Sequence, residues 1–202
     1  MKVKVFVDPV TYDLATLYHE EEDCVLIGVE GGAIAAINHG LTLDVALGDF
    51  DSVSATEIKK ISAHAKRVER FPEAKDDTDS ALALKEALTH NPDEVIFYGG
   101  LGGRLDHTLA NLTLLKQGPI TFVTDHTCAF ALAPGTYRLG QGYKVVSFFA
   151  MEDVKDLHLT GFRYDLTGYD LKVDDPLCVS NAGDGEVSFD EGVLLVILSQ
   201  ET

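Results

Sequence analysis

Short apolar runs alternate with amphipathic stretches along the first 125 residues. The runs occupy positions 3–7, 24–29, 44–47, 67–71, 94–98 and 120–123. Each has the length of a strand. The segments between them carry helical spacing; over 78–90, Ala81, Leu84 and Leu88 fall on one face. Strands alternating with helices predict a mainly parallel sheet covered on both sides. The expectation for residues 1–125 is therefore an α/β domain.

The pattern changes after Asp125. Short runs rich in β-formers recur at 129–132, 136–139, 144–149, 157–159, 177–180, 186–189 and 193–198, separated by Gly- and Asp-containing turns. No convincing helix interrupts them. Residues 126–202 read as an all-β sandwich.

Composition narrows the function. Of 202 residues, 46% are hydrophobic and 24% charged, enough to bury a core. Sixteen basic against 33 acidic residues give a net charge of −17. Such a surface repels phosphate backbones and anionic lipid, which argues against nucleic acid or a membrane as partner. No run approaches the ~20 apolar residues of a membrane span. The N-terminus has no signal-peptide pattern. Cys24, Cys128 and Cys178 are odd in number and lie far apart in apolar runs. They read as buried thiols in a reducing cytoplasm.

Candidate chemistry clusters in loops that follow the predicted strands, where open parallel sheets bind ligands. The first loop is Gly48-Asp49-Phe50-Asp51-Ser52. In extended backbone, Asp49 and Asp51 project to one side and Phe50 to the other. Paired carboxylates on a loop suit Mg²⁺. A turn leading into a helix from Ala55, capped by Asp51 or Ser52, would also account for the motif. The second loop is Lys75-Asp76-Asp77-Thr78-Asp79, opening an amphipathic helix. Acidic residues complement a helix N-terminus, but three exceed that need, and Lys75 is a sensible phosphate ligand.

The third loop, Gly99-Gly100-Leu101-Gly102-Gly103-Arg104-Leu105-Asp106-His107, lets backbone approach an anion closely. It has neither the Walker ending nor the Rossmann spacing. Arg104, His107, Thr108 and Asn111 then form a polar helix stripe, with Leu105, Leu109 and Leu112 opposite. Glu30-Gly31-Gly32 and Ser180-Asn181 are weaker signals, which ordinary turns would explain. Together the loops describe a Mg²⁺-nucleotide site for phosphoryl or pyrophosphoryl transfer.

These motifs, in this order and over nearly the whole chain, resemble the thiamine pyrophosphokinases, bacterial branch. Gly161-Phe162-Arg163-Tyr164-Asp165-Leu166 and the C-terminal Gly192-Val193-Leu194-Leu195-Val196-Ile197 add to the resemblance. It implies Mg²⁺-dependent transfer of diphosphate from ATP to the hydroxyl of thiamine, giving thiamine diphosphate and AMP. It implies an α/β catalytic domain (1–125) that binds ATP and Mg²⁺. It also implies a β-sandwich (126–202) that binds thiamine and dimerises, with sites shared between two subunits. Asp49, Asp51 and Asp79 match the family's metal carboxylates. Lys75, Thr78, Arg104, Asp106 and Asn111 match nucleotide- and phosphate-contacting positions, and His107 lies on the same stripe. Ser180 and Asn181 match the thiamine side.

The chain departs from the family at four places. Glu30 stands where Asp-Gly-Gly is common. Asp8-Pro9-Val10 replaces a glycine-rich turn, and Ala182 replaces an acidic residue. Leu195 stands where animal members have a tryptophan. Another heterocycle pyrophosphokinase, or a non-catalytic nucleotide or thiamine-phosphate binder, would share many of these features.

Overall fold

The computed structural model describes residues 1–51, 53–72, 76–140 and 142–200. The chain divides into two compact units, Met1–Asp125 and His126–Thr202. The first is an α/β unit with a parallel sheet and the second is an all-β sandwich.

Among the described residues, six parallel strands form the first unit: β1 (Lys2–Val7), β2 (Cys24–Val29), β3 (Leu43–Gly48), β4 (Ala65–Arg70), β5 (Glu94–Gly99) and β6 (Ile120–Val123). Their order is β4-β3-β2-β1-β5-β6. The chain builds outward from β1 to β4, then returns to the other side of β1 with β5. That reversal leaves a crevice at the C-terminal ends of β1 and β5, the usual ligand position in such sheets.

Four helices follow strands. They are α1 (Gly31–Asn38), α2 (Ala55–His64), α3 (Asp79–Leu88) and α4 (Leu105–Leu114). Ser54 caps α2 through a capping box with Glu57, in place of the expected Asp51 or Ser52; Ser52 lies outside the described residues. On α3 the buried stripe is Ser80, Ala83, Leu84 and Ala87, with Ala81 and Leu88 at its margins.

Helix α4 reverses part of the sequence reading. Leu105 and Leu109 are exposed, at 72% and 57%, whereas Asn111 is buried. The polar stripe turns partly inward because Asn111 has a backbone partner there. Among the described residues, no helix is long and apolar enough to cross a membrane.

The second unit holds β7 (Thr127–Leu132), β8 (Gly135–Leu139), β9 (Val145–Thr160), β10 (Leu166–Leu171), β11 (Gly185–Phe189) and β12 (Glu191–Ser199), all paired antiparallel. Strand β9 serves both layers. Its first part pairs with β12, which also carries β7. Its last part pairs with β10 and with β11, which carries β8. Phe148, Val154, Leu157, Leu159, Val187 and Val196 from these strands meet in one core.

Three expectations need correction here. The runs at 144–149 and 157–159 are one strand. The sequence splits them because Asp156, at φ 53°, breaks the alternation, so inward residues Val154 and Leu157 are three apart. Strand β10 was not expected, since its Thr-Gly-Tyr-Asp interior is poor in strand formers. Residues 177–180 form turns beside β9 and not a strand. Cys178 enters the core while Leu177 and Val179 stay exposed, which mimics strand alternation. Of the three cysteines, Cys178 is buried while Cys24 and Cys128 are half-buried, and none is in a disulfide.

Candidate active site

At the C-terminal ends of the parallel strands lies a pocket of about 430 Å³. Asp8 enters it from the end of β1, Glu30 from β2, Asp49 and Asp51 from β3. Asp77, Thr78 and Asp79 arrive from the start of α3, and Arg104, His107 and Asn111 from α4. Six carboxylates thus face one space, with Arg104 the cationic side chain among the described lining residues.

The Asp49–Asp51 segment is a turn and not the extended segment expected. Phe50 adopts φ 58° and buries its ring beneath the Arg70 guanidinium, 5.5 Å away. Asp49 Oδ1 accepts the Asp51 N–H at 3.1 Å. Both carboxylates still reach the pocket, through a turn rather than through alternation. Glu30, Asp49 and Asp51 bring one carboxylate oxygen each within 4.8 Å of one another. Asp79 lines the same pocket outside that trio.

Electrostatics follow from burial. Removal from water pushes the Glu30 carboxyl up; the Phe50 N–H counters this, while the Asp49 and Asp79 carboxylates add to the rise. Burial also raises Asp8, offset in part by a hydrogen bond from the Gly31 backbone. Asp106 goes the other way. The Arg104 guanidinium holds its carboxyl down to about 2, through a contact of 2.6 Å between two exposed side chains. Asp106 is thus an Arg104 partner and does not itself line the pocket.

The glycine loop is braced from inside. Asn111 Nδ2 donates to the Gly100 carbonyl at 2.7 Å. Gly100 has φ 74°, and a Cβ there would come within 2.9 Å of that amide, so only glycine fits without displacement. Thr108 Oγ1 adds a second tie, accepting the Gly102 N–H at 3.1 Å. Thr78 is the N-cap of α3, accepting the Ala81 N–H. Lys75 lies outside the described residues.

In the second unit, a largely apolar cleft of about 340 Å³ is lined by Leu159, Tyr164, Leu166, Leu177, Val179 and Asn181, among others. Asn181 is buried and tied to main chain: Oδ1 accepts the Tyr164 and Ala182 N–H groups, both at 2.9 Å. Ser180, at φ 60°, is exposed and donates its N–H to Ser147 Oγ at 3.0 Å. It does not line the cleft. Leu195 is buried in β12.

Sequence reasoning passed over Asp8 and set Glu30 aside as a weak turn signal. Their positions immediately after β1 and β2 were the available clue, since those ends flank the crevice.

Comparison with known proteins matches two family descriptions to this chain. Residues 17–122 match "Thiamin pyrophosphokinase, catalytic domain" and residues 136–194 match "Thiamin pyrophosphokinase, vitamin B1 binding domain". The chain is 32% identical over 194 residues to the thiamine pyrophosphokinase of Bacillus subtilis (strain 168), with 91% of each covered. The crystal structure of a thiamine pyrophosphokinase from Bacillus subtilis superposes with a TM-score of 0.88 at 30% identity, covering 100% of both chains. That of a Geobacillus thermodenitrificans thiamin pyrophosphokinase gives 0.86 at 30%, covering 100% of this chain and 99% of that one. The Candida albicans thiamin pyrophosphokinase shares the fold at 16% identity, with a TM-score of 0.73 and coverage of 98% and 90%.

Proposed function

This chain belongs to the thiamin pyrophosphokinase family, and from that premise we propose that its acidic pocket is where the diphosphate of Mg-ATP passes to the hydroxyl of thiamine. The products are thiamine diphosphate and AMP. The observation that carries this reading is the convergence of Glu30, Asp49 and Asp51 within 4.8 Å. Such hard oxygen donors fit Mg²⁺, and like charges so close call for a cation.

Asp49, Asp51 and Asp79 would hold the cation, with Glu30 beside them in the acidic wall. The chemistry the cation supplies when bound is charge neutralisation on phosphate oxygens. Arg104 takes up negative charge that develops on the transferring group, an electrostatic role worth several kcal/mol in such sites (~3–4). Lys75 is assigned the same role by its sequence position. The glycine loop, braced by Asn111, presents backbone to the phosphates, while Thr78 and His107 border them. Asp106 orients Arg104. One of the pocket carboxylates accepts the hydroxyl proton.

The apolar cleft of the second unit supports a role in thiamine recognition. Asn181 shapes that cleft from within, and Ser180 stands beside it. We further propose a homodimer in the cytoplasm, with each site shared between subunits. The exposed Leu105 and Leu109 favour a protein partner for α4, and cysteines outside any disulfide favour a reducing compartment.

The test is purified protein with Mg-ATP and thiamine, products read by phosphorus NMR. AMP formed one-for-one with thiamine diphosphate supports the reading. ADP with thiamine monophosphate overturns it.

A further inference from the structure

Glu30 occupies a strained and crowded place. Its backbone has φ 50° and ψ −126°, outside the regions ordinary residues favour. Its N–H is anchored to the Leu47 carbonyl at 3.1 Å, so the residue is fastened to β3 two residues before Asp49. Its carboxylate then reaches over Gly48. A Cβ on Gly48 would lie 1.8 Å from Glu30 Oε1, so the carboxylate fills the space a side chain would need. Oε1 finally accepts the Phe50 N–H at 2.8 Å.

Phe50 also needs holding. It is a non-glycine residue at φ 58° between two carboxylates that repel each other. Its buried ring fixes one side of the turn. The charge-assisted bond from its N–H to Glu30 fixes the other, and such bonds are about twice as strong as neutral ones.

We propose that Glu30 is a positioning residue, whose carboxylate grips the Phe50 N–H and so sets the spacing of Asp49 and Asp51 for a divalent cation. The inference rests on the reading of this pocket as a cation-dependent pyrophosphokinase site. It separates Glu30 from Asp49 and Asp51 by mechanism. Those two need negative charge, whereas Glu30 needs a hydrogen-bond acceptor of the right length.

Glu30→Gln keeps the length and an acceptor oxygen but removes the charge. Glu30→Met keeps the length and removes the acceptor, and Glu30→Ala removes both. Each variant is first checked for folding by its thermal midpoint; Glu30→Met stands in should Glu30→Ala not fold. Binding of Mn²⁺ is then measured by electron paramagnetic resonance, without nucleotide or turnover, and the Mg²⁺ dependence of turnover follows. Glu30→Gln is expected to bind Mn²⁺ within about threefold of wild type, and Glu30→Met and Glu30→Ala at least about tenfold more weakly. Loss in Glu30→Gln equal to that in Glu30→Met would make Glu30 a ligand and overturn the inference. Wild-type affinity in Glu30→Met would overturn it as well. Wild-type protein that does not bind Mn²⁺ would overturn the cation reading of the pocket instead.

Discussion

Asn181 closes on the main chain of Tyr164 in both directions, donating Nδ2–H to its carbonyl at 2.7 Å and accepting its N–H on Oδ1 at 2.9 Å. Asn181 is 3% exposed, and its backbone also pairs with Val146 in β9. One amide therefore pins the 162–165 loop against the sandwich and shapes one wall of the apolar cleft. The Ser-Asn motif has a structural task before any contact with substrate.

Asn181→Ala should accordingly destabilise the protein, by about 2–4 kcal/mol, because it leaves buried backbone groups without partners. Asn181→Asp should be at least as harmful, since it sets an oxygen against the Tyr164 carbonyl. Urea denaturation checks both. Ser180→Ala keeps the backbone N–H that bonds to Ser147 and should leave stability within ~0.5 kcal/mol. Equal stability of Asn181→Ala and wild type would refute this account of the loop.

Asp49→Asn and Asp51→Asn retain shape and remove charge from the acidic trio. Each should lower turnover by at least ~100-fold while the thermal midpoint holds. Asp79 lines the same pocket, and Asp79→Asn should weaken Mn²⁺ binding as Asp49→Asn does. Steady-state kinetics across a Mg²⁺ series, alongside Mn²⁺ binding, check all three. An Asp79→Asn chain that binds Mn²⁺ as wild type does would remove Asp79 from the ligands.

Asp8 gives a pH prediction. Burial raises its carboxyl above the ordinary 3.8. Between the ordinary and the raised value the native state holds more proton than the unfolded chain, so the Asp8 contribution to stability falls as pH rises through that window. Asp8→Asn retains an acceptor for the Gly31 N–H without the charge. It should be more stable than wild type at neutral pH, with the gain shrinking as pH falls toward 4. Thermal midpoints over pH 4–8 test this; a gain that does not change with pH would mean the charge of Asp8 is not the cause.

A shared site predicts complementation. An Asp49→Asn/Asp51→Asn chain lacks the metal side, and Leu177→Arg blocks the cleft without touching the Asn181 bonds. Random subunit exchange at equal amounts makes about half of the dimers mixed, each with one intact site, so activity should recover to about a quarter of wild type. Mixed dimers verified by mass that stay inactive would mean each site is built within one chain.

The sequence alone carried much of the α/β unit, because buried parallel strands read as apolar runs and helices show amphipathic spacing, as over 78–90. It also placed Asp49, Asp51, Asp79 and Arg104 together, since residues just past strand ends share one edge of the sheet. The sandwich was less legible. A bulge at Asp156 shifts the inward set of β9 by one residue, and no local pattern distinguishes that from a strand end. Tertiary structure alone decided the roles within the site. Glu30 and Phe50 are 20 residues apart, and their bond exists because parallel pairing of β2 with β3 brings the two strand ends side by side. Asn111 likewise turned inward, where its amide meets the Gly100 carbonyl, a partner 11 residues away that helical periodicity does not reveal.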